Sequence, residues 1–93
     1  MNRYFRRGWD ELRSGDHRPW GPASYYFETD SSLVALRQLE IYEGGQRLRY
    51  DSSHVEDEDG FLAFGRIFPE DEWPELFEIT ATEFEREWNR DQR

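Results

Sequence analysis

The chain has 93 residues, no cysteine, and 21 acidic against 12 basic residues for a formal net charge of −9. That length bounds it to a single domain over 1–93, with no room for a separate catalytic domain. Disulfides and thiolate chemistry are excluded, which fits a reducing cytoplasm. The acid excess disfavours nucleic acid and anionic membranes and permits a basic protein partner.

Hydrophobic residues make up only 35% of the chain, but aromatics make up 17%, with four Trp, five Tyr and seven Phe. Rings in that number bury large apolar areas and mark a folded, aromatic-rich core rather than a disordered segment. No stretch approaches the roughly 20 apolar residues of a membrane span. Arg3, Arg6 and Arg7 are followed by no apolar run, so no secretory leader is expected.

Taken in chain order, residues 3–12 read as an opening strand with Phe5, Arg7 and Trp9 on one face and Gly8 as a candidate bulge. Residues 13–23 read as a loop, with Ser14-Gly15-Asp16 and Pro19-Trp20-Gly21-Pro22 as turn chemistry and Trp20 as its anchor to the body. Residues 24–29, Ser-Tyr-Tyr-Phe-Glu-Thr, are rich in strand formers. Asp30-Ser31-Ser32 turns the chain. Two alternating runs, 35–43 and 46–50, flank Gly44-Gly45, a two-residue hairpin signal. That loop would pair Leu39 with Tyr50, Ile41 with Leu48, Glu40 with Arg49 and Tyr42 with Arg47. Apolar groups would then gather on one face and charges on the other, an arrangement that a one-residue slip would spoil.

Residues 51–60 form an acidic loop, and 61–68 a short strand or irregular packed segment. Pro69 to Trp73 reads as a helical turn, and Phe77-Glu78-Ile79 as extended. Thr80-Ala81-Thr82-Glu83 matches a capping box, which predicts a helix over about 81–90. Ala81, Phe84 and Trp88 would face the core, and Glu83, Glu87 and Arg90 the water. The expected fold class is α+β: an antiparallel three- to four-stranded β-sheet, a meander, with a C-terminal α-helix packed on one face.

No catalytic or metal motif emerges, so no catalytic residue, metal ligand or cofactor is expected. A calcium loop with Gly60 at its sixth position would put Val55 at the first and Arg66 at the twelfth, where carboxylates are needed. His17 and His54 are the two histidines, too few for a zinc site without cysteine. Ser52-Ser53-His54 is a run of sequence neighbours, whereas a nucleophile–base pair is a spatial arrangement. Close carboxylate pairs arise by chance among 21 acids.

The binding candidates are the acidic run Glu56, Asp57, Glu58 and Asp59, with Trp20 and Tyr26 as aromatics expected to reach the surface. Trp and Tyr are enriched in binding hot spots, and beside acids they suit a basic partner. Trp73 shares that reading, whereas Trp9, Tyr25, Phe27, Phe84 and Trp88 are expected in the core. Solvated acids that only keep the chain in solution are the plainer reading.

Arg7-Gly8-Trp9-Asp10, Trp20-Gly21, Tyr25-Tyr26-Phe27-Glu28, Arg37 to Tyr42, Leu48-Arg49-Tyr50, Glu56-Asp57 and the closing Phe84 to Trp88 span nearly the whole chain. Together they resemble a family of small uncharacterised bacterial proteins common in actinobacteria. That family is a domain of unknown function and carries no functional motif to transfer. Some small acidic proteins of this general look are immunity proteins, which bind and block a toxin. The leading expectation is therefore a non-enzymatic immunity-type inhibitor of a basic toxin. The alternative is a homo-oligomeric regulatory or scaffolding module, present as monomer or homodimer; a small enzyme or ligand carrier is a third class.

Overall fold

The computed structural model describes residues 2–9, 19–63 and 76–90. The expected strand end at 10–12, the loop from 13 to 18, His17, Arg66, the segment 64–68 and the turn from Pro69 to Trp73 lie outside the described residues. So does the side chain of Trp9.

Among the described residues the chain runs β1 (Arg3–Trp9), β2 (Ala23–Thr29), β3 (Ala35–Tyr42), β4 (Arg47–Tyr50), β5 (Glu56–Asp57), β6 (Gly60–Phe61), β7 (Leu76–Ile79) and α1 (Ala81–Trp88). The first four strands form the expected antiparallel meander. β7 adds a fifth strand by pairing antiparallel with the outer side of β1, giving the order β4-β3-β2-β1-β7. A small β5–β6 hairpin stands apart from this sheet. The fold is α+β. Gly8 pairs with Ser24 in an unbroken ladder, so the expected bulge is not there; the irregularity falls at Glu28/Thr29 instead.

The β3–β4 hairpin forms, but its register differs by one residue from the expected one. Gln38 pairs with Tyr50, Leu39 with Arg49, Glu40 with Leu48 and Ile41 with Arg47. Tyr42 N donates to Gln46 O at 2.9 Å and Gly45 N to Tyr42 O at 2.9 Å. The loop is thus the three residues Glu43, Gly44 and Gly45, with Gly45 in the left-handed region at φ 101°. A turn closed by a left-handed residue is the usual three-residue hairpin form. The extra loop residue is accommodated from outside the hairpin. Glu43 N donates to Pro22 O at 3.0 Å and Gly44 N to Trp20 O at 2.8 Å.

The slip exchanges the two faces of β4. Arg47 and Arg49 now share a face with Leu39, Ile41 and Tyr26, whereas Leu48 and Tyr50 share the other with Gln38 and Glu40. The helix explains why arginines are tolerated there. Its last carbonyls have no intrahelical partner. Arg47 Nη2 donates to Glu87 O, and Arg49 Nη1 to Trp88 O at 3.1 Å. Cations at a helix C-terminus also suit its dipole. Glu40, expected opposite Arg49, is instead buried on the opposite face.

The helix starts where the sequence indicates. The Thr80 side chain accepts from Glu83 N at 3.1 Å, and Asn89 closes the other end. Phe84 is buried in a cluster with Tyr26 and Leu39, walled by Tyr4, Ile41, Ile79 and Trp88. Ala81, expected toward the core, is exposed. Glu87, expected in water, is half-buried where Arg47 and Arg90 reach it. The other sheet face carries Phe5, Phe27 and Ala35, with Tyr25, Leu33, Leu62 and Ala63 against them.

Arg37 ties these parts together. Its guanidinium pairs with Glu28 on β2 and Glu85 on α1, and lies 4.8 Å from the Phe84 ring centroid and 4.9 Å from that of Trp88. Burial alone would raise the Glu28 pKa, but hydrogen bonds from Arg37, Asn2 and Tyr4 outweigh it and hold the carboxylate below its usual range. A depressed carboxylate stabilises the fold above its unfolded pKa and loses that contribution as pH falls through the folded value. The exposed Arg3–Glu78 pair, with side chains 41% and 51% accessible, is a different case worth under about 1 kcal/mol. Arg37→Met strands Glu28 as a buried charge and is expected to cost about 3 kcal/mol in urea unfolding. Adding Glu28→Gln to that variant should recover part of the loss. A single-variant cost below about 1 kcal/mol would show that the pair acts like an ordinary surface bridge.

Candidate functional site

The acidic segment is a folded hairpin rather than a loose loop, and aspartates build it. Asp51 N donates to His54 O and His54 N to Asp51 O, both at 3.1 Å, while Asp51 Oδ1 accepts from Ser53 N at 2.8 Å. Asp57 repeats the device: its Oδ1 accepts from Asp59 N at 2.8 Å and Gly60 N at 3.1 Å. Aspartate commonly caps its own turn in this way. Leu62 N then donates to Val55 O at 2.8 Å, closing the β5–β6 ladder in which Glu56 pairs with Phe61.

Two groups fasten this hairpin to the main sheet. The Tyr50 hydroxyl donates to Asp57 Oδ1 at 2.9 Å. Burial and then the Asp57 hydrogen bond push the Tyr50 pKa well above its ordinary value, so the hydroxyl stays a donor. The His54 ring stacks on Tyr50, with centroids 5.6 Å apart, and its Nε2 lies 3.0 Å from Asp57 Oδ2. Gly60 sits close over Tyr50: a Cβ there would lie 3.0 Å from the hydroxyl. The second fastening is Gln38. Its Oε1 accepts from Ala63 N at 2.8 Å, and its Nε2 donates to Phe61 O at 3.2 Å and Glu40 Oε2 at 2.7 Å.

Between sheet and hairpin lies an open cavity of about 320 Å³, lined chiefly by Tyr25, Phe27, Gln38, Glu40, Asp59 and Phe61. Glu40 is 4% exposed, and its Oε1 accepts from the Tyr42 hydroxyl at 2.5 Å. Burial first, and the Glu40 hydrogen bond and charge next, raise the Tyr42 pKa far above the ordinary tyrosine value. A buried carboxylate therefore sits beside aromatic rings on this face. A second cavity, of about 360 Å³, lies where Gly8, Ser24 and Ile41 meet Pro22 and Glu43. Among the described residues, Tyr42 and Glu43 are its ionisable lining residues.

The six candidate residues separate. Glu56, Asp57, Glu58 and Asp59 sit together on the hairpin, with Glu56 and Glu58 exposed. Asp57 is committed to the internal contacts just described. Tyr26, expected at the surface, is 8% exposed and packs between Leu39 and Phe84. It lies on the opposite sheet face from the hairpin, beneath α1, and is core. Trp20 is half-buried at the β3–β4 turn, its ring edge-on to Tyr42 with centroids 5.1 Å apart. Sequence reasoning passed over Gln38, Glu40 and Phe61. An aspartate with glycine three residues on was a legible turn signal, but the burial of Gln38 and Glu40 depends on the register. No three His, Asp or Glu side chains converge as metal ligands do among the described residues. Compared with known proteins, the chain matches no family model, no curated protein and no solved structure.

The His54 hydrogen bond, opposed by burial and aided by the amides of Asp59 and Gly60 and by Tyr50, lowers the Asp57 pKa from 3.8 to about 2. Its stabilisation is complete above the unfolded value and lost as pH falls from about 4 toward 2. A carboxyl-detected NMR titration should find the Asp57 midpoint near that lowered value. Tyr50→Phe should raise the midpoint and cost about 1 kcal/mol. A midpoint at the ordinary aspartate value would mean that the hairpin is not held through Asp57 in solution.

Proposed function

We propose that this is a non-enzymatic binding protein whose β5–β6 hairpin docks on a basic protein, in the manner of an immunity-type inhibitor covering a toxin's cationic surface. The observation that carries the reading is the company kept by the exposed apolar residues. Phe61 is 55% exposed and Val55 50%. Phe61 pairs across the hairpin with exposed Glu56, and Glu58 occupies the connecting turn. Aromatic and apolar groups ringed by acids, on a scaffold fixed by Asp57, Tyr50 and Gln38, suit a cationic surface with apolar gaps. The net charge of −9 supports a cytoplasmic role away from nucleic acids and membranes. No helix among the described residues is long and apolar enough to cross a membrane.

The homo-oligomeric reading draws on a different place. Phe77 is 65% exposed on β7, an edge of the five-stranded sheet. Unpaired edges and exposed rings favour self-association. Sedimentation at rising concentration separates the two: a dimer lost on Phe77→Ser supports this second reading, and a persistent monomer removes it.

The first reading is tested with any basic protein encoded beside this chain, purified and titrated in a binding assay. Binding should weaken as added salt shortens the screening length from about 10 Å at 0.1 M to about 3 Å at 1 M. Glu56→Lys with Glu58→Lys should slow association, and Phe61→Ala should cost about 2 kcal/mol of affinity. Full binding by all of these variants would show that the hairpin is not the docking surface.

A further inference from the structure

We infer that two copies of this chain pair through the sheet face that carries the helix, each inserting its Phe77 ring into the cavity over Gly8 of the other. The inference goes beyond the docking reading, since the β5–β6 hairpin lies on the opposite face and stays free. It rests on the self-association reading and gives that reading its surface.

Strand pairing fixes where the ring stands. Phe77 faces Arg6 across β1–β7, and Arg6 faces Tyr26 across β1–β2. Tyr26 lies beneath α1, so Phe77 ends a row on the helix-bearing face. Phe84 of α1 covers Tyr26 and Leu39 in that row, while Phe77 is left 65% exposed. A single exposed ring is ordinary on a protein surface. What distinguishes this one is the hole beside it.

The next row on the same face starts at Gly8, two residues along β1 from Arg6. Gly8 faces Ser24, Ser24 faces Ile41, and Ile41 packs against the cluster around Phe84. Gly8 is exposed, and a Cβ built on it would meet nothing within 4 Å. Glycine inside a strand often marks the close approach of another group. With Pro22, Ala23, Tyr42 and Glu43 this row lines the cavity of about 360 Å³. An apolar cavity of roughly 150 Å³ is enough to hold benzene, so the ring of a phenylalanine fits here. The chain's own Phe77 is held in the neighbouring row by β1–β7 pairing and stays exposed. A ring that fills the hole therefore comes from another molecule.

Charge selects a second copy as that molecule. Chains of net charge −9 repel one another, so self-association needs opposite charges where they touch. Exposed Arg6 stands beside the ring, and exposed Glu43 stands at the rim of the hole. With knob and hole on one face, a two-fold axis inserts both rings at once and sets each Arg6 against the Glu43 of the other copy. Such a contact is closed, so assembly stops at the dimer. Two rings and two rim ion pairs make a small interface, and the dimer is expected to be weak and concentration dependent.

The test is sedimentation of the full chain from dilute to concentrated solution, with the thermal midpoint of each variant measured at dilution. The wild type should pass from monomer to dimer. Gly8→Val fills the hole with a strand-favouring side chain. It should keep or raise the thermal midpoint while weakening the dimer about tenfold or more. Arg6→Glu and Glu43→Arg should each weaken the dimer, and the two together should restore it, because the exchanged charges still meet. Glu43→Arg lowers the net negative charge, so weaker pairing from it reports the local contact and not the repulsion of whole chains. A monomer at every concentration overturns the inference together with the self-association reading, and leaves hairpin docking untouched. A dimer that is lost on Phe77→Ser but indifferent to Gly8→Val and to both charge changes pairs along the β7 edge. The self-association reading then stands and this inference falls.

Discussion

The turn at Glu43-Gly44-Gly45 sets the register of β3 on β4, and both faces of the sheet inherit it. With three residues in the loop, Arg47 and Arg49 point under the helix, while Tyr50, Gln38 and Glu40 point to the other side. Side-chain direction alternates along a strand, so one residue more or fewer would exchange these sets. The helix would lose two donors to its final carbonyls, and the β5–β6 hairpin would lose the Tyr50 hydroxyl. Helix docking on one face and hairpin docking on the other are thus consequences of a single loop length.

The two faces use polar groups differently. On the helix side, arginines span the layers. Arg37 joins β2 to α1 while lying against Phe84 and Trp88, Arg49 lies over Trp88 with its guanidinium 5.6 Å from the ring centroid, and Arg47 reaches the carbonyl of Glu87. These contacts combine charge with stacked area, so truncation removes packing as well as an ion pair. On the hairpin side, neutral donors do the joining: the Tyr50 and Tyr42 hydroxyls and the Gln38 amide each hold a carboxylate. Arginines thus meet the carboxylates beneath the helix, and neutral donors hydrogen-bond the carboxylates of Glu40 and Asp57 on the hairpin side.

What the sequence made legible was local. The Ser-Tyr-Tyr-Phe-Glu-Thr strand, the hairpin around Gly44-Gly45, the turn at Asp30 and the Thr80 cap are each decided within a few residues, and each formed. What was missed depended on distant partners. The register rests on the carbonyls of Trp20 and Pro22, which take the N–H groups of the extra loop residues. Tyr25, Tyr26 and Phe27 are three rings in a row, so no alternation says which one faces the core, and Tyr26 was assigned outward when Phe84 covers it. β7 is four residues long and gains its place by pairing with β1 from the far end of the chain. Of the candidate site, the acidic hairpin was legible as composition. Its aromatic and amide companions were not, because they arrive from β2, β3 and β6.

The same structure limits what the net charge can mean for binding. Many of the acids already have work inside the fold. Asp30, Asp51 and Asp57 shape turns, Glu28, Glu78, Glu85 and Glu87 hold arginines, and Glu40 is buried. Glu56 and Glu58 stand exposed on the hairpin, next to Val55 and Phe61. In a docked complex an exposed ion pair contributes about 0–1 kcal/mol, while full burial of a phenylalanine contributes about 1.5–3 kcal/mol. The acids of the hairpin would therefore act mainly on encounter rate and on the choice of a basic partner, and Phe61 and Val55 beside them would supply most of the affinity. A hairpin already fixed by Asp57 and Gln38 loses little freedom on docking, so more of that burial would appear as binding free energy.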